Sequence, residues 1–242
     1  MSLIRVGTAG WAIPRAIAGS FPEEGSGLQR YAARFGVAEI NSSFHRPHRP
    51  GTYLRWAEAV PEDFRFAAKL PRRITHDLRL VGAEEELERF LGEVAGLGSR
   101  LGPLLVQLPP SLAFEAAPAA TFFRQLRSRH AGGVALEPRH ASWFAPEPDG
   151  LLREHRIARV AADPARVPAA SEPGGWAGLA YVRLHGSPRT YYSSYQADYL
   201  EALAARLRDA SVETWCIFDN TASGAAAANA LDLLTRLGGG GP

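Results

Sequence analysis

Residues 64–69 read Phe-Arg-Phe-Ala-Ala-Lys and carry the pattern from which the architecture follows. Because side chains two apart on a strand share a face, both Phe side chains and the second Ala form an apolar column, and the other column ends in Lys69. Residues 133–137 (Gly-Val-Ala-Leu-Glu) and 179–185 (Leu-Ala-Tyr-Val-Arg-Leu-His) repeat this arrangement. The pattern predicts strands whose apolar column is covered by helices and whose polar residues gather at the carboxyl end.

Eight stretches with this character alternate with segments of helical period. Strands are predicted at residues 3–8, 37–41, 64–69, 104–108, 133–137, 157–163, 179–185 and 212–219. Helices are predicted at residues 28–35, 52–60, 84–97, 118–129, 147–155, 196–210 and 222–237. This alternation predicts an α/β fold with a parallel sheet, and eight units in a chain of this length favour closure into a TIM-type (β/α)8 barrel.

The limits of the barrel follow from the segments between and after the strands. Residues 164–178 are rich in Pro, Ala and Gly and show no helical period, so we expect the sixth helix to be missing or very short. The Gly-rich residues 238–242 are predicted to form a disordered tail, which leaves residues 1–237 as one barrel domain.

The composition excludes several classes of protein. The 242 residues are 46% hydrophobic and 21% charged, which is typical of a folded globular chain. The single cysteine, Cys216, excludes a disulfide framework and a Cys-rich metal site. No apolar run approaches the roughly 20 residues that span a bilayer, and the first residues lack a signal-peptide pattern, so we expect a cytoplasmic protein without a membrane partner.

Lys69 is the only lysine among 27 basic residues, and the other 26 are arginines. Arginine keeps its proton in proteins, whereas a lysine can lose it when it is desolvated. The lone lysine is therefore either a chance survivor of a compositional bias or a residue kept for its amine. The net charge of +2 is too small to indicate nucleic-acid binding by itself.

The polar ends of the strands are predicted to meet at one end of the barrel, the C-terminal mouth, where barrel enzymes carry out their chemistry. The side chains that converge there are Glu39, Asn41, Lys69, Gln107, Glu137, Asp163, Arg183 and His185. A polar plug without function is the alternative, because buried charges require partners. The variety of chemical types favours a functional site. On the eighth strand, either Asp219 or Asn220 points inward.

Two loops suggest that the mouth binds an anion. Residues 185–189 follow the seventh strand, residues 219–224 lead from the eighth strand into a helix, and barrel phosphate sites often use these two loops. Asn220 or Thr221 is predicted to cap that helix, so that free amide groups face a ligand; a plain helix cap is the alternative. Guanidinium groups that suit phosphate or carboxylate come from Arg139, Arg183 and Arg189.

A metal and a ring-shaped ligand are further options for the mouth. The carboxylates and His185 are ligand types that suit Mg²⁺, Mn²⁺ or Zn²⁺, but no short ligand motif is present. The sequence therefore requires no cofactor and leaves a divalent metal open, with its ligands unknown. His140 is a candidate neighbour of the site. Aromatic residues follow several strands and either stack on a base or sugar ring or pack loops onto the rim: Trp11, Phe44, Trp143, Tyr191, Tyr192 and Tyr195.

Motifs spread over the whole chain resemble the YecE-like family, domain of unknown function 72. They are residues 6–11 (VGTAGW), 39–44 (EINSSF), 69–71 (KLP), 74–76 (ITH), 104–110 (LLVQLPP), 137–140 (EPRH), 142–143 (SW), 183–186 (RLHG) and 218–221 (FDNT), together with Asn229. The resemblance implies a fold similar to TIM barrels. It implies no established reaction.

The leading hypothesis is an enzyme, a hydrolase or lyase, that acts on a small anionic or phosphate-bearing substrate at the mouth. Lys69 is the electrophile or base, Glu137 or Asp163 is the general acid or base, and His185 binds the oxyanion or phosphate. The predicted substrate contacts are Glu39, Asn41, Gln107, Arg139, His140, Arg183, Asn220, Trp11 and Tyr192.

Two other classes of function are compatible with the same residues. A metal-dependent phosphodiesterase or nucleic-acid processing barrel would use the carboxylates for metal, and the arginines and rim aromatics for a strand. A non-catalytic ligand-binding barrel is the third hypothesis, since fold alone does not define activity.

Overall fold

One sheet forms the centre of the molecule in the computed structural model, which describes residues 3–238. Its strand segments are β1 (Ile4–Ala9), β2 (Val37–Ile40), β3 (Arg65–Lys69), β4 (Leu101–Gln107), β5 (Val134–Glu137), β6 (Ala158–Arg159), β7 (Ala161–Asp163), β8 (Gly174–Gly175), β9 (Ala180–Leu184) and β10 (Thr214–Phe218). Their order is β7-β9-β10-β1-β2-β3-β4-β5-β6-β8, and only the pairing of β6 with β8 is antiparallel.

β6 and β7 are two halves of one barrel strand that is interrupted at Val160. β6 pairs with β5, whereas β7 pairs with β9. At the interruption the Val160 N–H donates to the Leu136 carbonyl at 2.8 Å, and beyond β7 the His185 N–H donates to the Asp163 carbonyl at 2.7 Å. The sheet therefore closes through residues 158–163 into the predicted eight-stranded barrel. β8 is a short addition to it.

Helices cover the barrel in the predicted alternation. They are α1 (Gly27–Ala32), α2 (Ser42–His45), α3 (Pro50–Glu58), α4 (Glu84–Val94), α5 (Ala116–Arg129), α6 (Pro146–Glu154), α7 (Ala197–Arg208) and α8 (Ala225–Arg236). Local chemistry sets several starts: Ser26 forms a capping box with Gln29 at α1, and proline occupies the first position of α3 and α6.

The connection from β7 to β9 contains a 3-10 turn, Pro168–Ser171, where a sixth barrel helix would lie. The predicted lack of that helix is therefore confirmed. Sequence periodicity did not predict α2, directly after β2, or the π-helical turn Arg73–Asp77 after β3. Both elements follow carboxyl ends of strands and bring further side chains to the mouth.

The two faces of the sheet belong to separate apolar clusters. The cluster inside the barrel contains Val37, Ala67, Leu105, Ala135, Ala158, Val160, Tyr181, Trp215 and Ile217. The cluster under the helices contains the other column, such as Phe66, Leu136 and Val182. The alternation in residues 64–69, 133–137 and 179–185 thus places the faces as predicted.

The sixth strand faces the opposite way from the prediction. Ala158 and Val160 pack inside the barrel, and Ala161 packs in the outer cluster. Asp163, two residues after Ala161, therefore lies on the outer column and not among the inward side chains. The physical reason is that the polar residues of this strand find partners on its outer face, where Arg159 packs over the Phe144 ring and Asp163 accepts a hydrogen bond from the Tyr195 hydroxyl.

No helix within residues 3–238 is long and apolar enough to cross a membrane. Of the predicted tail, Gly238 ends the described chain in a turn, and residues 239–242 lie outside the described residues.

Candidate functional site

Arg183, from the middle of β9, is the centre of the polar cluster at the mouth. Its Nε and Nη2 donate to the two carboxylate oxygens of Glu39 at 3.1 and 2.7 Å. Nη1 donates to Glu137 at 2.5 Å and to the Gln107 side-chain oxygen at 3.3 Å, and Nη2 also donates to Asp219 at 3.0 Å. A guanidinium has five N–H groups, so Arg183 is saturated. Arg183 has no exposed surface. It therefore holds the carboxylates in place and has no free N–H group for a substrate.

Two carboxylates of the cluster, those of Glu137 and Asp219, are held in their ionised form. Burial would raise the pKa of Glu137, but Arg183, Arg139 and His185 keep that pKa well below its usual range. Burial opposes ionisation of Asp219 as well, and Arg183 with the His185 hydrogen bond lowers its pKa. Neither group is a proton donor near neutral pH.

His185 lies between two carboxylates, which favour its protonated form. Its Nδ1 is 2.9 Å from Asp219 Oδ2, and its Nε2 is 3.1 Å from Glu137 Oε1. Burial would lower the pKa of His185, but Glu137 and the hydrogen bonds to both carboxylates raise it. An imidazolium that donates from both nitrogens satisfies this arrangement, and it leaves neither nitrogen to accept a proton.

Arg139 retains donors for a ligand. Its Nε donates to Glu137 at 2.8 Å, its Nη2 to Gln107 at 3.2 Å and its Nη1 to the Tyr191 hydroxyl at 3.5 Å, which leaves two N–H groups. Arg139, His185 and Tyr191 line a pocket of about 480 Å³, together with the exposed Arg166. Glu137 lines the pocket as well, and its volume is that of a small-molecule site.

Lys69 ends β3 beside the cluster and has 8% of its surface exposed. Its Nζ lies 4.1 Å from the centre of the Phe44 ring, which α2 supplies, and no group in residues 3–238 accepts a hydrogen bond from it. Burial, followed by the charge of Arg183, lowers the pKa of Lys69 to about 8, although Glu39, Glu137 and Asp219 oppose the shift.

The charges of the mouth explain why the ammonium of Lys69 lacks a partner. Three carboxylates (Glu39, Glu137 and Asp219) face three cations (Arg183, Arg139 and protonated His185). The positive charge of Lys69 would be a fourth, unmatched cation. With its pKa lowered to about 8, the amine is a group of the mouth that changes its protonation near neutral pH.

Two more side chains complete the cluster. Asn41 Nδ2 is 3.4 Å from Asp219 Oδ1, and Asn41 Oδ1 is buried without a donor. Because β2 and β3 pair with Ile40 opposite Ala68, Asn41 and Lys69 follow side by side. The Tyr181 hydroxyl donates to Glu39 at 2.8 Å from below.

Several predicted site residues lie elsewhere. The Asp163 carboxylate accepts a hydrogen bond from the Tyr195 hydroxyl at 2.7 Å and takes no part in the cluster. Asn220 is fully buried and donates to the Ser193 carbonyl and to Asn229. It does not cap α8, and neither does Thr221, because Gly224 precedes that helix in a left-handed conformation without a side-chain cap.

Three further residues that were predicted as substrate contacts make other contacts. His140 is 2.8 Å from the Ser142 hydroxyl and begins the 3-10 turn Ala141–Phe144. Trp11 packs edge-on against Trp56 and Phe66. Tyr192 is 47% exposed and lies under the Arg189 guanidinium, 4.0 Å from its ring centre. The aromatic residues at the site are instead Phe44 and Tyr191.

The strand pattern left open whether Asp219 points into the barrel, and it did not identify Tyr181 as a member of the cluster. Alternation left the eighth strand ambiguous, and the inward position of Trp215 and Ile217 fixes Asp219 as the inward residue. Tyr181 shares a column with Arg183 and His185, which is the signal that could have identified it.

Within the described residues, no group of three or more His, Cys, Asp or Glu side chains is arranged to hold a metal ion. The carboxylates of the mouth converge on the guanidinium of Arg183 instead. As placed, they do not fit a divalent cation.

A closed parallel barrel with a charged C-terminal mouth defines the structural class of this protein. A family model described as "Protein of unknown function DUF72" matches residues 5–241. The chain belongs to this family.

Known relatives agree with this assignment. The UPF0759 protein YecE of Escherichia coli K12 is 30% identical over 144 residues, which are 59% of this chain and 51% of YecE, so the match spans about half of that relative's length. A DUF72 protein of Enterococcus faecalis, at 22% identity, covers 99% of this chain and 97% of its own with a TM-score of 0.83. The E. coli 3-keto-D-glucoside 4-epimerase YcjR shares the fold alone, at 14% identity and a TM-score of 0.51 over 98% of this chain and 99% of its own.

Proposed function

We propose that this barrel is an enzyme that acts on a small anionic substrate at its C-terminal mouth, with the Lys69 amine as proton acceptor or nucleophile. The observation that carries the proposal is the setting of Lys69. Its Nζ has no hydrogen-bond acceptor among the described residues, and its pKa is lowered to about 8 beside the ion cluster. A base with a pKa close to the working pH transfers protons efficiently.

Arg139 is the residue proposed to bind the anionic group of the substrate. Its two unused N–H groups suit a carboxylate or phosphate, and Tyr191 and Arg166 line the same pocket. Arg183 and His185 contribute positive charge but no free donor. They are positioning residues, which hold Glu137 and Asp219 in place.

Of the two predicted reaction types, a lyase fits these residues better than a hydrolase. Hydrolysis needs a group that protonates the leaving group, and the pKa values of Glu137 and Asp219 lie below their usual range. Breaking a bond next to a carbonyl needs mainly a base and a positive environment for the charge that develops. The lysine and the neighbouring cations supply these.

The alternative of a metal-dependent phosphodiesterase or nucleic-acid processing barrel receives less support. It would require carboxylates free to bind metal, whereas Arg183 donates to all three. A non-catalytic ligand-binding barrel uses the same pocket and differs only in turnover.

The test is a turnover screen of small carboxylates, sugar phosphates and other phosphate esters, with products followed by NMR. For any compound that the wild type converts, Lys69→Met should lower kcat by about 10²- to 10⁴-fold, the usual contribution of a positioned proton-transfer group. Arg153→Met is the matched control, because Arg153 forms an exposed ion pair with Asp149 on α6.

Unchanged turnover in Lys69→Met would remove the lysine from the mechanism. Binding of anions that depends on Arg139, without conversion of any compound, would favour the ligand-binding alternative.

A further inference from the structure

We propose that Lys69 forms an imine with a carbonyl substrate that also carries a carboxylate or phosphate group. This inference rests on the proposed function and names its substrate class: aldehydes and ketones of small size with one anionic group. The argument uses the surroundings of the amine, its neighbour Asn41 and the free N–H groups of Arg139, which is bonded to Glu137 of the same ion cluster.

An amine must be uncharged and unbonded to attack a carbonyl carbon; the Lys69 Nζ has no hydrogen-bond acceptor among the described residues, and its lowered pKa of about 8 makes the uncharged form accessible. The mouth is electrically matched without it, since three carboxylates already face three cations. The face of Phe44, which contacts Nζ at 4.1 Å, attracts an ammonium much less than a carboxylate would. The nitrogen lone pair is thus available close to neutral pH.

The identity of this side chain points in the same direction. All 26 other basic residues of the chain are arginines, which cannot act as nucleophiles because they keep their proton. A cation at the end of β3 that served only charge balance could be an arginine as well. The only lysine of the chain thus lies at the end of β3, beside the ion cluster of the mouth.

Imine formation balances with the amine and solvent alone. The Nζ lone pair of Lys69 forms a bond to the carbonyl carbon, and one proton moves from that nitrogen to the carbonyl oxygen to give a carbinolamine. The hydroxyl takes up a second proton from solvent and leaves as water, the nitrogen keeps its remaining proton, and the product is a protonated imine. The buried Asn41 Oδ1, which has no donor in the described structure and follows β2 beside Lys69, is suited to accept the hydroxyl hydrogen of the carbinolamine.

The positive charge of the imine makes it an electron acceptor for the bond next to it. Once formed, it withdraws electrons from the neighbouring carbon, so that a C–H or C–C bond there breaks and leaves its electron pair behind. This is lyase chemistry without a further oxidant or reductant. Arg139, with two free N–H groups, binds the anionic end and selects charged carbonyl compounds over neutral ones.

The experiment is reductive trapping of the folded protein with cyanoborohydride, using pyruvate and dihydroxyacetone phosphate as charged probes and acetone as the neutral probe. Reduction of the imine adds the probe minus one oxygen atom to the protein mass. Because Lys69 is the only lysine, the α-amino group is the only other primary amine, and peptide mapping separates the two. Lys69→Arg keeps the charge and should show no labelling at position 69.

We expect labelling of Lys69 by at least one charged probe, with a rate that levels off above about pH 8, whereas urea-denatured protein continues to gain reactivity toward the ordinary lysine pKa. In Arg139→Met, labelling by the charged probe should fall about tenfold or more while acetone labelling persists, because one charge-assisted contact is lost.

Labelling no faster in the folded than in the denatured protein, for both charged probes at about pH 8, would overturn the imine. Loss of turnover in Lys69→Met together with that result would leave Lys69 as a base and the proposed function intact. If Lys69 is labelled but Lys69→Met keeps full turnover, the proposed function and the imine's role in it both fail.

Discussion

Arg183 holds three carboxylates by itself, and this makes it the side chain on which the stability of the mouth depends most. Removal of its guanidinium leaves Glu39, Glu137 and Asp219 buried together without their common partner. The like charges then repel each other in an environment where water does not solvate them.

We therefore expect Arg183→Met to lower the free energy of unfolding by about 3–5 kcal/mol, measured by urea titration at neutral pH. Arg183→Lys should lose part of this, because an ammonium has three donors in place of five. Arg153→Met, which breaks an exposed pair on α6, is the control and should cost less than about 1 kcal/mol. A cost for Arg183→Met no larger than that of the control would contradict the central role of Arg183.

Side-chain alternation alone predicted much of this residue cluster. Glu39, Gln107, Glu137 and His185 were expected at the mouth, and they converge there. Alternation could not predict which residues share hydrogen bonds. All N–H groups of Arg183 are used, whereas Arg139 keeps two free, and this difference depends on distances between strands that are far apart in the sequence.

At the scale of elements, β1 and β2 approach each other closely at Gly7. A Cβ atom at this position would lie 2.2 Å from the Val37 carbonyl oxygen and 3.0 Å from the Tyr31 hydroxyl. That hydroxyl is fixed, because it donates to the same Val37 oxygen at 2.9 Å and accepts from the Thr8 N–H at 2.8 Å. Backbone on one side and a bonded side chain on the other leave no room for a methyl group.

Gly7→Ala should therefore destabilise the protein by about 1–3 kcal/mol, the usual cost of overpacking, because β1 must move away from β2. The matched control is Gly92→Ala on α4, where a Cβ meets nothing within 4 Å and where alanine is the better helix former. Thermal unfolding of the two variants should give melting temperatures that move in opposite directions. Equal shifts would show that the close approach at Gly7 is not maintained in solution.

The sixth strand illustrates the limit of element-level prediction. Its residues 158–162 include alanines in both columns, so the polar residues Arg159 and Asp163 decided the predicted orientation, and they decided it wrongly. Arg159 packs against the Phe144 ring at 4.9 Å, outside the barrel. A polar outer column is stable here because Asp163 also finds a partner outside the barrel, the Tyr195 hydroxyl. Alternation within one strand does not predict such partners.

At the scale of the whole molecule, the barrel interior changes character from one end to the other. Apolar side chains such as Val37, Trp215 and Ile217 fill its lower part, and the ion cluster lies above them at the C-terminal end. Charges that lie against this apolar interior interact strongly, because water screens them little. Folding therefore shifts the pKa values of these groups, and stability depends on pH.

The sign of that dependence differs between the acids and the histidine. Glu137 and Asp219 have lowered pKa values, so their contribution is present above the ordinary carboxylate pKa of about 4 and is lost as pH falls through the lower, folded values. His185 has a raised pKa, so its contribution is complete below the ordinary histidine pKa of about 6.5 and is lost as pH rises through the folded value. From these groups we expect the highest stability between about pH 4 and about pH 6.5.

His185→Gln isolates the basic side of this curve, because glutamine keeps hydrogen-bonding capacity but cannot carry the charge. The free energy of unfolding of the wild type should exceed that of the variant by a constant amount between about pH 5 and about pH 6.5, and the difference should shrink as pH rises further. Urea titrations at intervals of about half a pH unit measure it directly. If the difference stays flat up to about pH 9, His185 does not bind its second proton between Glu137 and Asp219, and the balance of three cations against three carboxylates at the mouth is wrong.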